Sequence, residues 1–189
     1  MEGEDGLKRS LLDSLRDGGF IFYARHGEAT VGEDLPNLNF QNCFTQRNLS
    51  ERGRRQAIYY GEVLRNLRIP ISYPIITSPF CRTIETAQLA FGSVNVKVDA
   101  FWVEIYKLSR NLSNEERKRI VDNLQSVLEI KPAHGSHKVI IAHNFPKGIG
   151  LGHISNMGTV IVKPRGKGNS YEVVSQLSLA DLSALGRFG

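Results

Sequence analysis

The sequence predicts an α/β fold, a three-layer α/β/α sandwich around a mostly parallel central sheet. Three observations lead there. Short apolar runs, Phe20–Ala24, Ile75–Thr77 and Lys138–Ala142, alternate with amphipathic segments of helical length. The last two runs, Gly158–Val162 and Tyr171–Ser175, flank a Gly- and Asn-rich turn and read as a hairpin. Charged residues stand where the apolar runs end. A chain of 189 residues with 41% hydrophobic content is one domain with its own core, residues 1–17 forming a lead-in helix.

In order along the chain, Leu7, Leu11, Leu12 and Leu15 share one helical face, and Gly18-Gly19 stops that helix. The aromatic run after it is the first strand. Residues 29–48 are polar and aperiodic, a loop of the length that is often functional. Ser50 caps the next helix, which carries Ala57, Tyr60, Gly61 and Leu64 inward as far as Leu67. Pro70 and Pro74 punctuate its exit before Ile75-Ile76-Thr77. A helix from Phe80 to Phe91 ends at Gly92, and Val94, Val96 and Val98 alternate as a short strand. Ser113-Asn114-Glu115-Glu116 fits a capping box for a helix to Leu128, whose run Glu115–Arg119 reads as a solvated face. His134, His137 and His153 flank loops and read as solvent-facing or helix-end residues. Lys147–Gly152 reads as a flexible connection.

The formal net charge of +5 points to an anionic partner, for which phosphorylated small molecules and nucleic acid both qualify. The basic turn Lys163–Lys167 is a single hairpin tip, so no nucleic acid is expected. No stretch approaches the ~20 apolar residues of a membrane span. The N-terminus lacks the apolar centre of a secretory signal, which reads as cytoplasmic for the chain as given and as cell envelope if a leader was removed. Cys43 and Cys81 lack CxxC spacing. They read either as half-buried thiols or as a pair meeting near the site, since Cys81 directly precedes Arg82; in an exported protein they could bridge.

Arg25-His26, Arg82 and His143 all fall at the carboxyl ends of strands or in the turns after them. That is where open α/β sheets bind ligands. Arginine forks match phosphate oxygens, and a neutral imidazole is a nucleophile near pH 7 if its other nitrogen is held protonated. The Gly27 carbonyl is a suitable acceptor for Nδ1–H of His26, leaving Nε2 to attack phosphorus. A second histidine, charged when substrate is bound, would donate to the transferring oxygens. Glu104, a lone carboxylate in an apolar stretch, is the expected proton donor, its pKa raised by burial. No spacing suits zinc, so no metal is expected.

Arg25-His26-Gly27-Glu28 resembles the signature of the histidine phosphatase superfamily, the phosphoglycerate-mutase-like fold, and the resemblance extends from about Gly19 to Val174. Arg25 and His26 match its arginine and nucleophilic histidine, and Arg82 in Ser78-Pro79-Phe80-Cys81-Arg82 matches its second phosphate-pocket arginine. Glu104 matches its proton donor, with Glu85 and Glu28 as rivals, and His143 matches its second histidine. Gln46-Arg47-Asn48-Leu49-Ser50 with Gly53 is similar to the family's Leu-Thr-x-x-Gly segment. Arg47 is accordingly either a further phosphate contact or a solvated surface residue. The Ser-Pro-Phe-Cys-Arg and Ala-Phe-Gly runs resemble a small branch whose members often serve in the cell envelope.

The resemblance implies a cofactor-independent phosphomonoester hydrolase acting on a small phosphorylated substrate through phosphohistidine at His26. A phosphoglycerate-type mutase is the alternative within the family. The compact spacing from Arg82 to His143 leaves little chain for a water-excluding lid and favours hydrolysis. A non-catalytic module binding phospho-ligands or nucleic acid is the alternative outside it.

Overall fold

Side chains along β1 (Ile21–Arg25) alternate between two separate apolar cores. Phe22 and Ala24 enter one core, Ile21 and Tyr23 the other. β4 (His137–Ala142) lies parallel beside it and does the same, with Val139 and Ile141 on the first side and Ile140 and Ala142 on the second. Strands buried on both faces lose the apolar/polar alternation and become the continuous apolar runs seen in the sequence. A computed structural model describes residues 11–188 of the chain.

Helices close each face. The first core is covered by α1 (residues 11–17), α2 (Glu51–Asn66), α3 (Cys81–Phe91) and α6 (Leu179–Ala184). The second is covered by α4 (Val103–Lys107) and α5 (Asn114–Leu128), whose Ile120, Leu124 and Leu128 are buried with Trp102 and Ile105. The three-layer expectation is met. Of the leucines expected on the lead-in helix, Leu12 and Leu15 are buried, while Leu7 lies outside the described residues.

The sheet also contains β2 (Ile71–Thr77), β3 (Val96–Val98), β5 (Thr159–Pro164) and β6 (Tyr171–Leu177). Its six strands run in the order β3-β2-β4-β1-β5-β6. The first four are parallel, and the closing hairpin adds β5 and β6 antiparallel. The caps agree with the sequence signals. Ser50 accepts the Gly53 N–H at 3.0 Å, Ser113 and Glu116 form a capping box, and α3 stops at Gly92, whose φ of 87° suits glycine.

Two local expectations are corrected, and one helix is added. β2 begins at Ile71 and runs through Pro74 instead of starting after it, with its ladder to β4 irregular between Ser72 and Ile76. Pro74 is tolerated because β3 pairs only with Ile75–Thr77, leaving that side of the strand free where the donor is missing. His137 is fully buried: Nε2 lies 2.5 Å from the Leu15 carbonyl and Nδ1 accepts the Phe20 N–H at 3.1 Å, so it fastens α1 to the sheet. α6 was not anticipated. Its capping box of Ser178 and Asp181 and its buried Leu182 account for it.

α2 packs its first turn directly on the backbone after β1. A Cβ at Gly53 would lie 2.0 Å from the Glu28 carbonyl oxygen, so only glycine permits this approach. Gly53→Ala should therefore cost about 1–3 kcal/mol through forced backbone movement, read as a lower urea midpoint at unchanged m-value.

Candidate active site

The pairing of β1 with β4 brings two histidines together. Arg25 is in register with Ala142, and the His26 N–H donates to the Ala142 carbonyl at 3.1 Å. The next residue on each chain segment then leaves the sheet at the same edge, placing the His26 and His143 rings 5.9 Å apart. The buried Tyr23 hydroxyl fixes His143 from below, donating to its carbonyl at 2.8 Å and accepting its N–H at 3.2 Å. β2 ends beside them, and its Ser78-Pro79-Phe80 turn starts α3, whose second residue is Arg82.

Nδ1 of His26 lies 2.6 Å from the Gly27 carbonyl, the contact expected from the sequence. A carbonyl only accepts, so Nδ1 carries the proton and Nε2 keeps its lone pair. Burial, reinforced by the charges of Arg82, Arg25 and Arg47 and only partly opposed by Gly27, lowers the His26 pKa to about 3. His143 is also held well below its ordinary value, by burial first and then by His26, Arg82 and Arg25; its Nε2 lies 2.7 Å from the Ser78 hydroxyl. Both rings are neutral at physiological pH.

Arg25, His26, Arg47, Arg82 and His143 line one cavity of about 480 Å³. Arg25 donates from Nη1 to the Ile154 carbonyl at 2.9 Å, and its buried Nε has no partner among the described residues. Arg47 donates from Nε to the Thr30 carbonyl at 2.8 Å, which holds it at the rim. Arg82 forms a fork with Asp34, with contacts of 2.8 and 3.2 Å and both side chains buried. Asp34 also accepts the Arg47 backbone N–H at 2.9 Å and the Tyr106 hydroxyl at 3.0 Å. Burial alone would raise the Asp34 pKa. The bonds from Arg82, Arg47 and Tyr106 outweigh it and hold the group below the ordinary carboxylate range.

Glu104 is not brought into this cavity. It sits on α4, where its carboxylate takes Lys107 Nζ at 2.6 Å, one turn along the helix, and Arg119 from α5 at 3.1 Å. The bond from Lys107, with help from Arg119, lowers its pKa instead of raising it as a buried acid would require. Its rivals are engaged elsewhere: Glu28 accepts from Ser50 and pairs with Arg52, and Glu85 pairs with Arg54 at 2.7 Å. The carboxylate that borders the cavity arginines is Asp34, which also lines an adjoining recess with Arg47, Arg82 and Tyr106.

Asp34, Ser78, Tyr106, Arg110 and Arg117 were not anticipated as site residues. Arg117 carried a signal, since it precedes Ile120, Leu124 and Leu128 by three, seven and eleven residues and so continues their inward stripe. It corrects the reading of Glu115–Arg119 as wholly solvated. Cys43 and Cys81 are joined in a disulfide, which corrects the half-buried thiol reading and ties the 29–48 loop to the start of α3. Gln46 supports the same junction by accepting the Cys81 N–H at 2.8 Å. Among the described residues, no group of His, Cys, Asp or Glu side chains is arranged to hold a metal ion, and no helix is long and apolar enough to cross a membrane.

With this geometry the family can be stated. A model of the histidine phosphatase superfamily (branch 1) matches residues 21–126, more than half of the chain. The chain belongs to this superfamily. It is 34% identical over 88 residues to agropine synthesis reductase of Rhizobium rhizogenes, a match covering 43% of this chain and 20% of that protein. The chain thus spans about a fifth of that relative's length. Among solved structures, the mycobacterial glucosyl-3-phosphoglycerate phosphatase Rv2419c with inorganic phosphate superposes with a TM-score of 0.56 at 15% identity, covering 88% of this chain and 99% of that one. The protein histidine phosphatase SixA with tungstate gives 0.52 at 14%, covering 86% and 99%. A phosphoserine phosphatase of Entamoeba histolytica with phosphoserine gives 0.51 at 14%, covering 86% and 98%. At these identities the likeness establishes the fold.

The neutral histidines make stability pH-dependent. The unfolded chain protonates His26 near 6.5 and the folded chain only near 3, so unfolding takes up a proton between those values. Stability from this source is intact above about pH 6.5 and falls as the pH drops toward 3. Thermal unfolding without added anions should therefore show Tm falling from pH 7 to 4, with a shallower slope in His26→Gln.

Proposed function

We propose that the protein is a phosphomonoester hydrolase working through phosphohistidine at His26. The observation that carries this reading is the Gly27 carbonyl on Nδ1 of a buried, neutral His26, facing a cavity walled by Arg25, Arg82 and His143. Nε2 attacks phosphorus while the arginines spread the developing charge over the phosphoryl oxygens, and water then cleaves the phosphorus–nitrogen bond. The family, and the phosphatase names of the solved structures that share the fold, support a phosphatase over a binding module.

The leaving oxygen needs a proton, and the geometry favours Asp34 over Glu104 as its source. A phosphoryl dianion seated on Arg82 competes for the guanidinium that keeps Asp34 ionised, and losing that partner raises the Asp34 pKa. Substrate binding would so prepare the acid that the next step uses. The Cys43–Cys81 bond supports maturation in an oxidising compartment such as the cell envelope.

Brief incubation with a labelled aryl phosphate, followed by alkaline quench, should give base-stable, acid-labile phosphate on the wild type and none on His26→Ala. Label that persists without His26 moves the nucleophile elsewhere. Asp34→Asn should lose about a hundredfold in kcat on alkyl phosphates, within the range for general acids, and much less on aryl phosphates, whose leaving groups need little protonation. Glu104→Gln should stay within about threefold of wild type on both; a large loss there returns the proton to Glu104.

A further inference from the structure

Beyond the groups that hold the phosphoryl moiety, two more arginines line the same cavity. Arg110 lies just after α4 and Arg117 lies in the first turn of α5. The Arg110 guanidinium carbon stands 5.0 Å from the centre of the Tyr106 ring, and that ring is 5.5 Å from His143. Arg110 is therefore one aromatic ring away from the histidine pair. Arg117 has a buried Nε with no hydrogen-bond partner among the described residues.

Outside the cavity, Arg16, Arg52, Arg54, Arg55, Arg119 and Arg165 have carboxylate partners, while Arg65, Arg68 and Arg187 form no ion pair with a described residue. Within the cavity Asp34 answers Arg82, and no ion pair to a described residue is formed by Arg25, Arg47, Arg110 or Arg117. Five guanidiniums, those of Arg25, Arg47, Arg82, Arg110 and Arg117, converge on one space; Asp34 pairs with Arg82, and Arg110 donates to the Tyr106 hydroxyl with the charges of Asp34 and Glu33 nearby. A phosphomonoester carries about 1.5 to 2 negative charges at pH 7. Arg25 and Arg82, with Arg47 at the rim, suffice for that, so Arg110 and Arg117 are in excess of what the phosphoryl group needs. Gathering like charges is unfavourable unless a ligand offsets it.

We infer that the cavity takes a phosphorylated substrate bearing a second anionic group, a carboxylate or a further phosphate, which Arg110 and Arg117 bind apart from the transferred phosphoryl group. This rests on the phosphatase reading above and names its substrate class. Tyr106 serves both halves, with its hydroxyl on Asp34 and its ring beside Arg110.

The test compares phenyl phosphate with para-carboxyphenyl phosphate, and in parallel benzylphosphonate with para-carboxybenzylphosphonate as non-reacting ligands measured by calorimetry. The wild type should favour each carboxylated member by about tenfold or more, in kcat/KM chiefly through KM and in Kd, as expected for charge-assisted bonds. In the Arg110→Gln, Arg117→Gln double variant both ratios should fall to within about twofold of unity, and Arg117→Lys should restore part of the preference. Equal handling of the two members by the wild type, or a preference that survives the double substitution, overturns the inference. The phosphonate pair separates this from the reaction itself: absence of turnover with retained discrimination defeats the hydrolase reading and upholds the second anion site.

Discussion

The parallel pairing of β1 with β4 is the constraint on which the site depends. Register places Arg25 opposite Ala142, and the single bond from the His26 N–H to the Ala142 carbonyl extends that register one residue past the sheet. The cavity histidines, His26 and His143, are the residues that leave each strand at that edge. A shift of one residue would reverse the facing of every side chain and move both histidines to opposite layers. The two apolar cores on either face prevent that shift, because Phe22 and Tyr23 each fill a different one. Packing far below the cavity thus fixes the distance between the two imidazoles.

The same construction sets the electrostatics. Both histidines sit on the apolar cores and are surrounded by guanidiniums, so protonation is penalised twice and neutral rings result. As the proposed nucleophile, His26 needs no neighbouring base. Orientation comes from a backbone carbonyl, which cannot be lost to titration. The cost is a cluster of positive charge, which the Arg82–Asp34 fork balances in part. A buried pair of this sort adds little net stability but holds Arg82 in a defined geometry.

Much of this was legible in the sequence because it obeys local rules. The strand ends, the serine caps and the order of Arg25, His26, Arg82 and His143 are local or strictly sequential features. The Gly27 contact was legible too, since it joins adjacent residues. What escaped depends on side-chain direction or on loops without periodicity. Glu104 lies where the resemblance puts a proton donor, yet the α4 turn aligns it with Lys107 and leaves the cavity wall to Tyr106. Asp34 stands in a polar loop that nothing periodic describes, and its pairing emerges only when Arg82 is brought to it over a separation of 48 residues. His137 looked like a loop-edge residue because its two hydrogen-bonded contacts come from α1 and the approach to β1.

The covalent tie between Cys43 and Cys81 fastens the 29–48 loop, which carries Asp34 and Arg47, to the start of α3. Without that tether the loop would sample many arrangements and would have to lose that freedom each time a ligand bound. With the tether in place, the ordering entropy is lost once, when the chain folds and oxidises. A ligand entering the cavity then meets a rim that is already assembled, so its affinity is less eroded by reorganisation.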